Sequence, residues 1–168
     1  MNLEIGSALM HPRHGAVTVS DLGHRQVNGA PVEVVTFTVN ATNMQITIPV
    51  ANVDAVGLRQ PIDSARVDEV LDILAFSTEE FDGNWSRRYK AYEAKLASGD
   101  IRATAQVVHS LAVRRHDTRI SAGEQRLLGR ARALLVDELV QHPRFDDRTH
   151  AESCIDEALG RMFDRGAS

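Results

Sequence analysis

The hydrophobic period of this chain changes at Gln60-Pro61, and that change divides it into two differently built parts. From Ser7 to Leu58 short β-branched runs are broken by turn residues. Asn28-Gly29, between Arg25–Val27 and Val32–Val39, predicts a two-residue hairpin turn because both residues tolerate positive φ. Ala8–His11, Ala16–Leu22, Val32–Val39 and Met44–Ile48 read as strands, and Val53–Leu58 as a further short one. Four or five strands in about 55 residues predict a small barrel. After Asp63 the apolar residues recur at helical spacing. Asp63 or Ser64 caps a helix reaching about Ala75, with Val67, Val70, Leu71 and Leu74 on one face. Asn84 caps a second helix to Leu96, and Gly99 and Asp100 separate it from a third over Ile101–Arg115. Ser121 and Glu124 form a capping box for a fourth, which ends before Pro143. Thr149 and Glu152 repeat that spacing at the start of the last. The fold class is therefore α+β: a barrel over residues 1–60 and a compact domain of about five helices over residues 61–168.

Net charge is only −4, but it is unevenly spread. Residues 84–132 hold eleven Lys/Arg against four Asp/Glu, while residues 61–83 hold one against seven. Any polyanion contact is thereby localised to one basic surface of an acidic protein. Cys154 is the sole cysteine, which excludes a disulfide framework and fits a reducing cytoplasm. No run has the length of a membrane span, and no signal peptide opens the chain, so a cytoplasmic protein is expected.

The residues that carry chemistry elsewhere are missing here. There is no Walker loop, Rossmann glycine fingerprint, G-x-S-x-G elbow or H-E-x-x-H. His11 and His14 in His-Pro-Arg-His lack a Cys or carboxylate partner nearby and read as turn residues, not metal ligands. Glu79, Glu80 and Asp82 read as a solvated acidic loop. No catalytic residue, metal or cofactor is expected.

The informative stretch is Asn84-Trp85-Ser86-Arg87-Arg88-Tyr89-Lys90. It contains the single tryptophan, followed almost at once by cations. Trp85, Tyr89, Tyr92 and Leu96 share one helical face, with Arg88 and Lys95 flanking it on one side and Arg87 and Lys90 toward the other. Two arrangements fit this spacing: a fully packed aromatic stripe with a solvated cationic face, or a core of Tyr89, Tyr92 and Leu96 with Trp85 exposed at the helix mouth. The second suits nucleic acid, since cations and free N–H groups hold phosphates while a flat ring stacks on or wedges against a base.

The run NWSRRYKAYEAKLASGD and the stretch from Ser121 to Leu139 closely resemble the C-terminal domain of the CarD/CdnL family of bacterial transcription regulators. Gly6, the run His11–Ala16, Asn28-Gly29, Ile48-Pro49, Asn52 and Val56-Gly57 resemble the same family's N-terminal domain. The resemblance implies an SH3-like or Tudor-like barrel that binds the β subunit of bacterial RNA polymerase. It implies a helical domain that binds promoter DNA at the upstream edge of the melted region and stabilises the open complex. Trp85 would be the minor-groove wedge, and Arg87, Arg88, Lys90 and Lys95 its phosphate contacts. Arg114, Arg115, Arg119, Arg126 and Arg130 are further candidates for DNA. Arg25 occupies a polymerase-contact position with Val27 beside it, and Thr47 and Ile48 stand where close relatives carry a basic residue. The protein would act as a monomer, associated with the nucleoid through polymerase. Two other roles stay open: a docking paralogue that does not support the bubble, and a DNA-binding protein independent of polymerase.

Overall fold

Asn28 and Gly29, at φ of 50° and 80°, turn the chain tightly between its two longest strands. In the computed structural model, which describes residues 1–165, they join β2 (Gly15–Val27) to β3 (Ala30–Val39). With β1 (Ala8–His11) and β4 (Gln45–Pro49) these strands form an antiparallel sheet in the order β1-β2-β3-β4. It curls into a half-barrel without hydrogen bonds between β1 and β4. Alternation sends Val17, Val19, Val35, Phe37 and Val39 to one buried face, where Leu9, Val53 and Leu58 join them. A bulge between Val19 and Asp21 shifts the register. Beyond it, residues 24–27 and 30–33 continue as a two-stranded ribbon, since β4 pairs with β3 only from Val34 onward.

The stretch expected to supply a last strand is mostly helical. Val50–Asn52 is a 3₁₀ turn and α1 spans Val53–Val56, closed by Gly57 at φ 85°. Val53 and Val56 are three residues apart, so a helical turn places both against the barrel core, where a strand would send them to opposite faces. Strand pairing survives only as an isolated bridge between Met10 and Arg59.

The chain divides into two compact units, Met1–Pro61 and a second beginning at Ile62. The second contains α2 (Ser64–Phe76), α3 (Trp85–Ala97), α4 (Ile101–Asp117), α5 (Ala122–Leu139) and α6 (Arg148–Arg165). Asp63, Asn84 and Asp100 each accept a backbone N–H of the helix they precede, and Ser121 and Glu124 complete their capping box. At α6 the capping residue is Asp147, which accepts from the His150 N–H at 2.8 Å, and not Thr149. Asp147 lies one residue before the first helical residue, where a cap must sit, whereas Thr149 is already inside the helix.

Helix α4 packs against α2, α3 and α5, and α6 packs against α2 and α5. Val70, Leu74, Tyr92, Val108, Leu111, Leu135 and Ile155 are completely buried in the resulting core. Each such Leu or Ile contributes about 1.5–3 kcal/mol relative to exposure. The inward polar groups are paired: His109 Nδ1–H donates to the Leu74 carbonyl at 2.8 Å, and the Tyr92 hydroxyl bonds Ser110 Oγ at 2.7 Å. Among the described residues no helix is long and apolar enough to cross a membrane.

Candidate nucleic-acid interface

The first turn of α3 separates its side chains according to what each meets. Tyr92 and Leu96 enter the core, Tyr89 is half-buried, and Trp85 stays 51% exposed at the helix mouth. Of the two arrangements compatible with the spacing, the chain adopts the one with an exposed tryptophan. The ring is nevertheless held: it stacks on Tyr89 with centroids 5.3 Å apart, and its Nε1–H donates to Ser121 Oγ at 3.3 Å. Asn84 caps the helix by accepting the Arg87 N–H at 3.1 Å, while its own N–H donates to Asp82 Oδ1 at 2.7 Å.

Arg88 departs from expectation. It is only 4% exposed, so it is not a surface phosphate contact. Its Nε and Nη2 donate to Glu124 Oε1 at 3.1 and 3.0 Å, and Nη1 donates to the carbonyls of Asp82 and Gly83 at 3.2 and 3.0 Å. Glu124 Oε2 accepts the Ser121 N–H and hydroxyl at 3.0 and 3.1 Å. Burial pushes the Glu124 carboxyl up, but the Ser121 and Arg88 hydrogen bonds outweigh it and hold the group below the ordinary carboxylate range. Arg88 is turned inward because a buried carboxylate requires a cation, and the first turn of α5 provides that carboxylate.

The remaining cations fall into two groups. Arg87 is 77% exposed and touches Asp82 at 3.5 Å, an exposed pair that a competing anion can displace. Lys90, Arg115, Arg119, Arg126 and Arg130 are exposed and form no ion pair with another described residue. Arg119 and Arg126 bracket Ser121, the residue holding the indole. By contrast, Lys95 donates to Gln106 Oε1 at 2.7 Å, pairs with Glu79 at 3.1 Å and lies over the Phe81 ring. It anchors the acidic loop, about 15 Å along the helix axis from Trp85. Arg114 is drawn toward Glu124 at 3.5 Å, with its Nε buried. Ser121, Gly123 and Glu124 are the site residues that a linear reading assigns only to capping. Their signal is that Ser121 and Glu124 carry acceptor atoms beyond those the cap consumes.

In the first unit, Arg25, Val27 and Thr47 lie on one face of the sheet. Arg25 pairs with Val32 and Thr47 with Thr36, and Val32, Val34 and Thr36 alternate along β3. The Thr36 and Thr47 hydroxyls are 2.8 Å apart. Arg25 and Val27 are exposed on the ribbon. Ile48, opposite Val35, faces the other way and packs on the barrel core, so its side chain is not on that face. His11 Nδ1 accepts the backbone N–H groups of Arg13 and His14 at 3.0 and 3.3 Å, shaping the turn. Among the described residues no group of three or more His, Cys, Asp or Glu could hold a metal ion.

Comparison with known proteins covers both units. Residues 69–156 match the family model of the CarD C-terminal domain, and residues 3–62 that of the CarD-like/TRCF RID domain. The chain is similar to the putative transcription factor YdeB of Bacillus subtilis (strain 168), with 23% identity over 136 residues, covering 81% of this chain and 89% of that protein. It is also similar to the 72-residue N-terminal domain of Myxococcus xanthus CarD, solved by solution NMR. That match has 25% identity and a TM-score of 0.31, covering 35% of this chain and 79% of that one.

Proposed function

This chain belongs to the CarD family of transcription factors, and we propose that it binds RNA polymerase and holds promoter DNA open at the upstream edge of the bubble. The observation that carries the proposal is the setting of Trp85. A sole tryptophan, half-exposed and held at one face by Tyr89 and at one edge by Ser121, projects from a helix N-terminus among exposed Arg87, Lys90, Arg119 and Arg126. A flat ring inserted beside an unstacked base step occupies space that reannealing must reclaim, which slows bubble collapse. The surrounding cations register the ring against phosphates without reading sequence.

Polymerase, through its β subunit, is the proposed partner of the first unit. Arg25, Val27 and Thr47 share a face of the ribbon and sheet, and the ribbon projects beyond its neighbouring strands. Tethering to polymerase raises the effective concentration of the second unit at the promoter, so weak DNA affinity suffices. That is consistent with a net charge of only −4. The protein would work as a monomer in the cytoplasm, at the nucleoid.

The test is the lifetime of a competitor-challenged open complex formed by bacterial RNA polymerase holoenzyme, with and without this protein. Lengthening that disappears in Trp85→Ala, while polymerase binding stays at the wild-type level, is the expected result. An unchanged lifetime despite demonstrated polymerase binding would refute the wedge and favour a docking role. Activity without polymerase binding would instead identify an independent DNA-binding protein.

A further inference from the structure

The first turn of α5 meets the first turn of α3 residue by residue. Ser121 receives the Trp85 indole N–H, and Glu124 pins Arg88. Gly123 lies under Tyr89: a Cβ at Gly123 would stand 3.3 Å from Tyr89 Cε2, so only a glycine leaves the ring its present position without adjustment. Trp85, Arg88 and Tyr89 are spaced i, i+3 and i+4, so they project from one face of α3. Their three partners lie within the four consecutive residues of the capping box.

Hydrogen-bond valence determines what Ser121 can do. Its hydroxyl has one proton and two lone pairs. The Glu124 carboxylate accepts that proton, at 3.1 Å from Oγ. One lone pair accepts the Glu124 backbone N–H at 3.1 Å, as the cap requires. The remaining lone pair is the one aimed at Trp85 Nε1. An ionised Glu124 therefore fixes the hydroxyl rotor with its acceptor side toward the indole. Arg88 in turn holds Glu124 in place and ties the carbonyls of Asp82 and Gly83, the residues just before the α3 cap. The same carboxylate thus sets both the acceptor for the ring and the entry of the helix that carries it.

We propose that the Ser121-Ala122-Gly123-Glu124 turn is the seat of the wedge: Ser121, Gly123 and Glu124 are positioning residues that fix the tilt of the Trp85 ring before DNA arrives. An exposed side chain ordinarily samples rotamers on the picosecond to nanosecond scale. A ring already held at one edge and one face forfeits less freedom on insertion, and that preorganisation strengthens its effect in the complex. The inference rests on Trp85 being the wedge, but the seat itself can be measured in the free protein.

Trp85 is the only tryptophan, so its time-resolved fluorescence anisotropy reports this ring alone. Ser121→Gly removes the hydroxyl yet keeps a residue tolerated at N-caps, and Ser121→Thr restores the hydroxyl. Gly123→Ala favours the helix while pressing on Tyr89. All should retain the wild-type helical signal by circular dichroism. In the full-length protein, Ser121→Gly and Gly123→Ala should increase fast indole motion, and Ser121→Thr should return it to the wild-type level. In open complexes, Ser121→Gly should cut the Trp85-dependent gain in lifetime by about fivefold, the factor that one net hydrogen bond is worth, and Gly123→Ala should also reduce it. Wild-type anisotropy in both variants would overturn the seat. A loosened ring with an undiminished lifetime, while Trp85→Ala shortens it, would overturn its role in the wedge. If Trp85→Ala itself has no effect, the wedge reading fails, and with it the seat's part in that mechanism.

Discussion

Arg88 lies three residues from the exposed tryptophan, yet its removal should be felt in stability and not in phosphate binding. The residue is 4% exposed and its side chain donates four hydrogen bonds. Arg88→Met preserves much of the apolar stem and deletes the guanidinium. The Asp82 and Gly83 carbonyls belong to exposed residues, so water can replace the missing donor at modest cost. Glu124 is 2% exposed, so its buried carboxyl group is left without its paired cation. Removing one partner of a buried pair costs about 3–5 kcal/mol. The Ser121 bonds persist and Arg114 stands 3.5 Å away, so the lower end, about 3 kcal/mol, is the appropriate figure. With a urea slope of about 2 kcal/mol/M, the unfolding midpoint of the helical unit should fall by about 1.5 M. Far-ultraviolet circular dichroism and Trp85 fluorescence would follow the transition. Glu124→Gln alone and combined with Arg88→Met completes a double-mutant cycle, which should return a coupling above about 1 kcal/mol. Where the variant is still folded, the salt dependence of its DNA affinity should match wild type. A destabilisation below about 1 kcal/mol, the range of exposed pairs, or a shallower salt slope at unchanged stability would refute the argument.

The exposed cations should behave in the opposite way. The triple variant Lys90→Ala, Arg126→Ala, Arg130→Ala should reduce the slope of log affinity against log salt by about 0.9 for each phosphate left without its cation, measured with labelled promoter DNA. An unchanged slope would remove these residues from the interface. Arg25→Glu should weaken polymerase binding by about tenfold or more in a direct binding assay. It should shift stability by less than about 0.5 kcal/mol, because Arg25 sits exposed on the ribbon. Acid should act through Glu124, whose folded-state pKa lies below the ordinary value of 4.5. Its contribution is fully present above that value and is lost as pH falls through the lower folded value. The stability difference between wild type and Glu124→Gln, followed by urea unfolding, should therefore stay level from neutral pH to about 5 and narrow below 4.5.

What a linear reading recovers here is local chemistry. The Asn28-Gly29 turn and the caps at Asp63, Asn84, Asp100 and Ser121 each depend on residues within three positions, and all are formed. The buried Tyr92 and Leu96 follow from the helical wheel, which places them in the core in either arrangement, whereas the wheel alone leaves Trp85 open and the packing of the helix mouth exposes it. Two local readings still miss. Val53–Leu58 is β-branched enough for a strand, but Val53 and Val56 reach the same core only by a helical turn. Thr149 has the spacing of a cap, but Asp147 captures the His150 N–H two residues earlier in the chain.

Arg88 fails to reveal itself for a different reason. On the wheel it borders the aromatic face, and a long cation at that border can turn to solvent or inward with equal ease. The choice is made by Glu124, thirty-six residues away, through a helix packing that periodicity does not encode. A capping-box glutamate needs one carboxylate oxygen for its own N-cap, leaving the other oxygen to be satisfied if the turn is buried. Here Oε2 serves Ser121 and Oε1 serves Arg88. The spare oxygen of a cap on one amphipathic helix, and a cation bordering the aromatic stripe of another, are complementary demands. Once the two helices pack, satisfying both removes Arg88 from the exposed surface and leaves Arg87 and Lys90 as the cations of this turn available to phosphate.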